Sequence, residues 1–363
     1  MVVSWSAEDT DVHSPKILKC AKWNYNSMTD NCIANKHRDR YLRSKLNDLY
    51  FLLSLLFIGA VALIIRNYLK RSPSLKVDYS FGNANLLALK VAVRAKQFKE
   101  AEVLIGSFEV NMRTLAIDHL ALTCTTLELQ SWVTSNGGTG YDGLALAGHY
   151  GFLNWSFEQT KSFATATKTE QTAFTFNSKN GKQHLYLVEN SKSYFFEKQL
   201  RLIRLKMITG EIDAAWNHFI AATNQEPDTF FPYLYAAECI QPKWGGDLNR
   251  IQKLIAMLPE LPEVRMCVML KLIQDSFAQE ENLLGGTMDD LVTFATEQLA
   301  LIDNELSKEA PEGAIKYYIY NYVIVTSERL GNKVLKQKYT QLAQGYTTLF
   351  PYGPLFPQEL AQM

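Results

Sequence analysis

The chain has 363 residues, 47% of them apolar and 20% charged, enough to bury a sizeable core and to exclude disorder over most of its length. Its 37 Lys and Arg balance 37 Asp and Glu, so no charge excess points to a nucleic-acid partner. Five scattered Cys are too few for a disulfide-stapled module.

Residues 1–48 read as a tail with eight basic and six acidic residues. Its His13, Cys20, Cys32 and His37 are zinc-ligand types, but intervals of six, eleven and four residues match no compact metal knuckle, so no metal and no cofactor is implied. The basic stretch KHRDRYLRSK, residues 36–45, reads as a topogenic flank that can lie against anionic headgroups. It leads into LYFLLSLLFIGAVALII, residues 49–65, which carries no charge over 17 residues. As a helix this segment covers about 25 Å, the short end of a bilayer span. It is apolar on every face, unlike an amphipathic core helix, and Tyr50, Arg66, Tyr68, Lys70 and Arg71 are suitable interfacial anchors. The expectation is a single-pass membrane protein with the lipid bilayer as one partner. Five basic residues upstream against four downstream leave the side of the large domain open. Cys124, Cys239 and Cys267 sit in apolar contexts and look like reduced core thiols. A linker, 66–83, then precedes one long domain, 84–363.

Within that domain the helical period dominates. Met266, Met269, Leu270, Ile273 and Phe277 share one helix face; Met288, Val292, Ala295, Leu299 and Ile302 form a second stripe, and Ile315, Tyr318, Ile319, Tyr322 and Val325 a third. Such stripes are read as core. Gly- and Pro-rich breaks at SNGGTGYDG, PKWGG, LPELPE, NLLGG and EAPEG separate the units. Strand evidence is limited to QTAFTFNS and QHLYLVEN around Asn180-Gly181, which fit a short hairpin or an interrupted helix equally well. Helices with short connectors predict an all-α, solenoid-like domain.

One helix pair is more specific. Gly210 suits a turn between helices, Ala215 and Ala222 permit close approach, Phe219 fills the hole between them, and Pro227 stops the second helix. This spacing resembles the second half of a tetratricopeptide repeat, although Ile203 and Lys206 depart from that family's preferred small and aromatic residues. A weaker copy has Phe98, Ala101 and Ile105 at the same offsets, with Lys96 in place of the turn glycine. The two copies lie 114 residues apart, not a multiple of the repeat length, so regular tandem repeats are unsupported. Downstream, Pro242, Lys243, Trp244, Gly245 and Gly246 end one helix and turn into the next, with Asp247 placed to cap it. The stretch from 197 to 257 resembles an uncharacterised bacterial family of tetratricopeptide-like proteins bearing a Pro-(Lys or Arg)-Trp-Gly-Gly signature, with Asp247 where that family has Ser. The resemblance implies an α-α superhelical fold and, with the apolar segment, a bacterial inner membrane; it transfers no chemistry. In this motif Trp244 is read as a plug between helices ahead of a grip on a partner.

Signatures of known chemistry are missing: no GxxxxGK[ST], no strand-associated GxGxxG, no GxSxG and no HExxH. His149 and His218 lie among aromatics and read as satisfied helix residues, and Asp289-Asp290 and Glu280-Glu281 as exposed helix ends. No catalytic residue is assigned. The expected function is that of a membrane-anchored helical scaffold for an unidentified protein or peptide, binding on its concave face. The alternatives are an accessory subunit of a bacterial envelope or translocation complex, or an enzyme with an unrecognised site.

Overall fold

The computed structural model describes residues 76–160, 163–344 and 346–347. Among these residues the chain is helical apart from two two-residue strands, β1 (Lys76–Val77) and β2 (Tyr346–Thr347), paired in parallel. The helices are α1 (Ala84–Arg94), α2 (Phe98–Ser107), α3 (Val110–Thr123), α4 (Thr126–Asn136), α5 (Tyr141–Thr160), α6 (Lys168–Leu187) and α7 (Lys192–Ile208). They continue as α8 (Ile212–Gln225), α9 (Phe231–Cys239), α10 (Leu248–Ala256), α11 (Pro262–Gln279), α12 (Met288–Lys308), α13 (Ile315–Arg329) and α14 (Lys333–Leu342).

Each odd-numbered helix packs on the next odd-numbered helix, from α1 on α3 through to α11 on α13, and each but α3 also packs on its even-numbered successor; α4 lies instead against α5 and α1. The described residues therefore form a stack of antiparallel helices in two rows, with six packed helical hairpins, the helical-repeat-like all-α architecture expected. Burial divides the two rows from α3 onward; α1, at the start of the inner row, buries only Leu86, Leu89 and Val93. In the inner row Thr114–Ala121 of α3, Phe196–Ile203 of α7 and Tyr318–Ser327 of α13 are buried without a break, so these helices are covered on every face. Outer helices bury one stripe: Ile212, Ala215, Phe219 and Ala222 on α8, and Leu291, Ala295, Leu299 and Ile302 on α12. The stack also closes on itself. Phe81, just ahead of α1, stacks on Tyr317 of α13 with ring centroids 4.6 Å apart and planes 9° from parallel, and β1 meets β2 beside this contact in the chain. The face that would be concave in an open solenoid is thus the interior of the domain.

Local chemistry explains the turns. Gly210 ends α7 at φ 74°, and Ala215, Phe219 and Ala222 fill the interface behind it. At the weaker copy, Lys96 itself adopts φ 61°, so the same left-handed turn is made without glycine. Thr125, Thr167 and Thr287 close capping boxes on α4, α6 and α12; Asp290, one of the expected helix-end acids, completes the last.

Two expectations are corrected. Both readings around Asn180-Gly181, a short hairpin and an interrupted helix, give way to a continuous helix, α6, with Gly181 buried inside it beside Tyr150 of α5. The single-pass localisation, in the bacterial inner membrane or any other, is likewise not carried forward: no helix among the described residues is long and apolar enough to cross a membrane. Their longest helices either bury one face, as α6 and α12 do, or carry charged groups within the core, as α5 does with Asp142 and α11 with Lys271 and Asp275. Segment 49–65, the tail with its Cys20 and Cys32, and linker residues 66–75 lie outside the described residues.

One buried group couples the lead-in segment to pH. His119 of α3 is 2% exposed; burial pushes its imidazole down to about 4, against partial opposition from the backbone of Tyr79. Its folded pKa lies below the unfolded value near 6.5, so the neutral ring stabilises the fold fully above about pH 6.5. That contribution, about 3 kcal/mol, is lost as pH falls from about 6.5 to about 4. Urea titrations across this range are expected to show the slope in the parent chain and a shallower one in His119→Phe.

Candidate functional site

The inner helices place ionisable side chains where they face one another across the closed interior. Glu197 and Arg201 are four apart on α7, one turn above each other, so both point to α3. Arg201 donates from Nη1 to Glu197 Oε2 at 2.6 Å and from Nη2 to Asp118 Oδ1 at 2.8 Å. Glu197 also accepts from Thr114 Oγ1 at 2.8 Å, and Asp118 from the Tyr235 hydroxyl of α9. Arg204, one turn on, lies between the rings of Phe152 and Tyr235, 4.7 and 3.8 Å from their centroids, and 3.7 Å from Asp118. A second cluster links α9 to α11: Lys271 bonds Glu238 at 2.6 Å and Asp275 at 2.7 Å, Lys243 reaches Glu238 at 3.2 Å, and Gln241 donates to Asp275. Each of these charges would be costly in the interior alone; interlocked, they fix the register of successive hairpins.

Between the clusters lies a cavity of about 20 Å³, lined by Trp155, Arg204, Tyr235, Glu238, Lys271 and Tyr322 among others. It is roomy enough for about one water. Its acids and bases are driven away from neutrality. Burial pushes the Glu238 carboxyl up, but the Lys243 and Lys271 ammonium groups outweigh it and hold the carboxyl well below the usual range. Burial acts against the Lys271 ammonium too, and Asp275 and Glu238 more than compensate. The phenols of Tyr235, Tyr318 and Tyr322 are raised well above 10, chiefly by burial. None of these groups is poised to exchange a proton near pH 7, the condition for general acid–base work.

The motif residues take up structural positions. Pro242–Trp244 form a single 3₁₀ turn, Gly245 closes it at φ 90°, and Asp247 caps α10 through the Arg250 amide at 2.9 Å. Trp244 is half-buried against the core, and Lys243 joins the second ion cluster through Glu238. Pro227 follows the end of α8 and accepts the Tyr233 hydroxyl at 3.3 Å. His149 donates from Nδ1 to the Ala121 carbonyl at 2.8 Å, which leaves Nε2 to accept from Thr126, 2.9 Å away; the His218 ring meets Gln199 at 2.7 Å. In the GGTG loop Asp142 takes the amides of Gly138 and Gly140, so those two donors are filled by the chain's own carboxylate. The buried ion clusters were not legible as a site. Their one sequence trace, opposite charges four apart at Glu197/Arg201 and Lys271/Asp275, equally describes a solvated helix face.

A larger concavity of about 430 Å³ opens among helix ends, where α11 begins, α12 ends and α13 begins. Met266, Leu306, Pro311 and Ile315 supply its apolar floor, and Glu263, Glu305, Glu309 and Glu312 its rim. Comparison of the chain with protein-family models, curated proteins and solved structures returned no match.

Proposed function

We propose that this chain is an interaction scaffold that engages a protein or peptide partner on its outer surface. The observation that supports this reading is the division of space in the helical stack: the inner row is filled by the chain's own interlocked charges, while the roomier concavity opens among helix ends of α11, α12 and α13. The tetratricopeptide-like turn at Gly210 favours the same role, since stacked hairpins offer long rigid surfaces for partners. A rigid frame lowers the ordering cost that a binding surface would otherwise incur.

The test is amine-reactive crosslinking of the full-length chain in a native extract, with crosslinked sites mapped by mass spectrometry. A specific protein enriched over an unrelated helical bait, with crosslinks at Lys308 and Lys316 beside the groove, is the expected result. No enrichment over that bait would sink the reading.

A further inference from the structure

We infer that the edge groove between α11, α12 and α13 binds a cationic, amphipathic peptide segment of a partner protein, an assignment that rests on the scaffold reading and names its site. The groove joins two features. Its floor is apolar: Met266 and Leu306 are half-buried against the core and leave their outer surfaces facing the opening, flanked by Pro262 and Pro311. Its rim is acidic, with four carboxylates around one mouth. Glu305 is tied to Lys308 at 2.7 Å, but Glu263, Glu309 and Glu312 have no ion-pair partner among the described residues.

The helix ends sharpen the field. α12 finishes at the groove, and its last carbonyls add negative potential and unfilled acceptors. α11 and α13 begin there, and their N-termini would draw anions. Glu263, in the first turn of α11, and Glu312, two residues before the Ala314 cap of α13, offset those positive poles. The net field is negative over an apolar floor.

These properties select the occupant. An acidic segment meets repulsion from three uncommitted carboxylates. A purely apolar one desolvates them without compensation. A segment with one or two apolar anchors flanked by Lys or Arg covers Met266 and Leu306 and gives the rim charge-assisted partners. A volume of about 430 Å³ suits a few side chains rather than a whole helix.

The experiment measures fluorescence anisotropy of two labelled 12-residue peptides, one alternating Leu with Lys and one alternating Leu with Glu, against the full chain. The Leu-Lys peptide is expected to bind saturably, to weaken as salt rises, and to lose at least tenfold in affinity to E309K/E312K. A control with two charge reversals elsewhere, E281K/E297K, is expected to change affinity less than twofold. Both altered pairs are exposed, so circular dichroism should show parental folding. Equal affinity for the parent and E309K/E312K, equal binding of the Leu-Glu peptide, or no saturable binding of Leu-Lys by the parent would each overturn the assignment. The two readings fail separately. A native partner still crosslinked by E309K/E312K removes the groove and leaves the scaffold; no partner for the parent removes both.

Discussion

Replacing Arg201 with Met is expected to lower the free energy of unfolding by about 3–5 kcal/mol. The Arg201 side chain is 3% exposed and holds two carboxylates, Glu197 at 0% and Asp118 at 7%. Without it, two buried acids lose their main counterion. Arg113, 3.5 Å from Glu197, and Arg204, 3.7 Å from Asp118, supply only longer contacts. The cost comes from the stranded charges and not from the intrinsic value of the pair. Neutralising all three groups, in Asp118→Asn/Glu197→Gln/Arg201→Met, is therefore expected to recover most of the loss. A surface comparison, Lys338→Met, which breaks the half-exposed pair with Asp303, is expected to cost under about 1 kcal/mol. Urea denaturation of the four chains checks the set; an Arg201→Met loss no larger than the Lys338→Met loss would refute the interlocked core.

Gly246→Ala is the second large effect, about 3 kcal/mol. A Cβ at this position would lie 1.8 Å from the Ile240 carbonyl oxygen and 2.1 Å from its carbon. These are backbone atoms at the end of α9, so no side chain can move aside, and the Pro242–Trp244 turn must shift instead. Gly245→Ala makes a useful contrast. Gly245 has φ 90°, yet its nearest neighbour is the Ile212 side chain at 3.7 Å, so the substitution costs only the backbone strain of about 1–2 kcal/mol. The close approach outweighs the strained dihedral. Thermal unfolding, with Trp244 fluorescence reporting the local shift, is expected to rank Gly246→Ala well below Gly245→Ala.

Features that depend on neighbours in sequence were legible. The Gly210 turn, the Pro242–Gly246 turn and its Asp247 cap are local geometry written in local residues. The stripe on α12 was largely legible because one face of that helix meets solvent, although Val292 proves 42% exposed. α11 and α13 belong to the inner row, where the period fades. In α11 the expected Met266 and Met269 are half-buried, while Cys267, Val268 and Lys271 from other faces are buried. Closure was not legible at all: Phe81 and Tyr317 meet across most of the chain, and nothing near either residue signals the other. The charged core was hidden for a related reason. A Glu and an Arg four apart are the ordinary signature of a wet helix face, and only the arrival of α3 turns Glu197 and Arg201 into an interior pair. The concave groove expected from stacked hairpins is occupied by that same chemistry, which moves the candidate binding surface to the helix ends of α11, α12 and α13.

From α3 to α13 the inner row is a closed, packed interior. Native-state hydrogen exchange of the full chain, followed by mass spectrometry, tests it directly. Amides of α7 and α13 are expected to exchange only through global unfolding and to be the slowest in the chain, with α6 and α14 on the outer row exchanging sooner. Exchange in α7 and α13 as fast as in α6 and α14 would mean an open inner face, and would contradict the account.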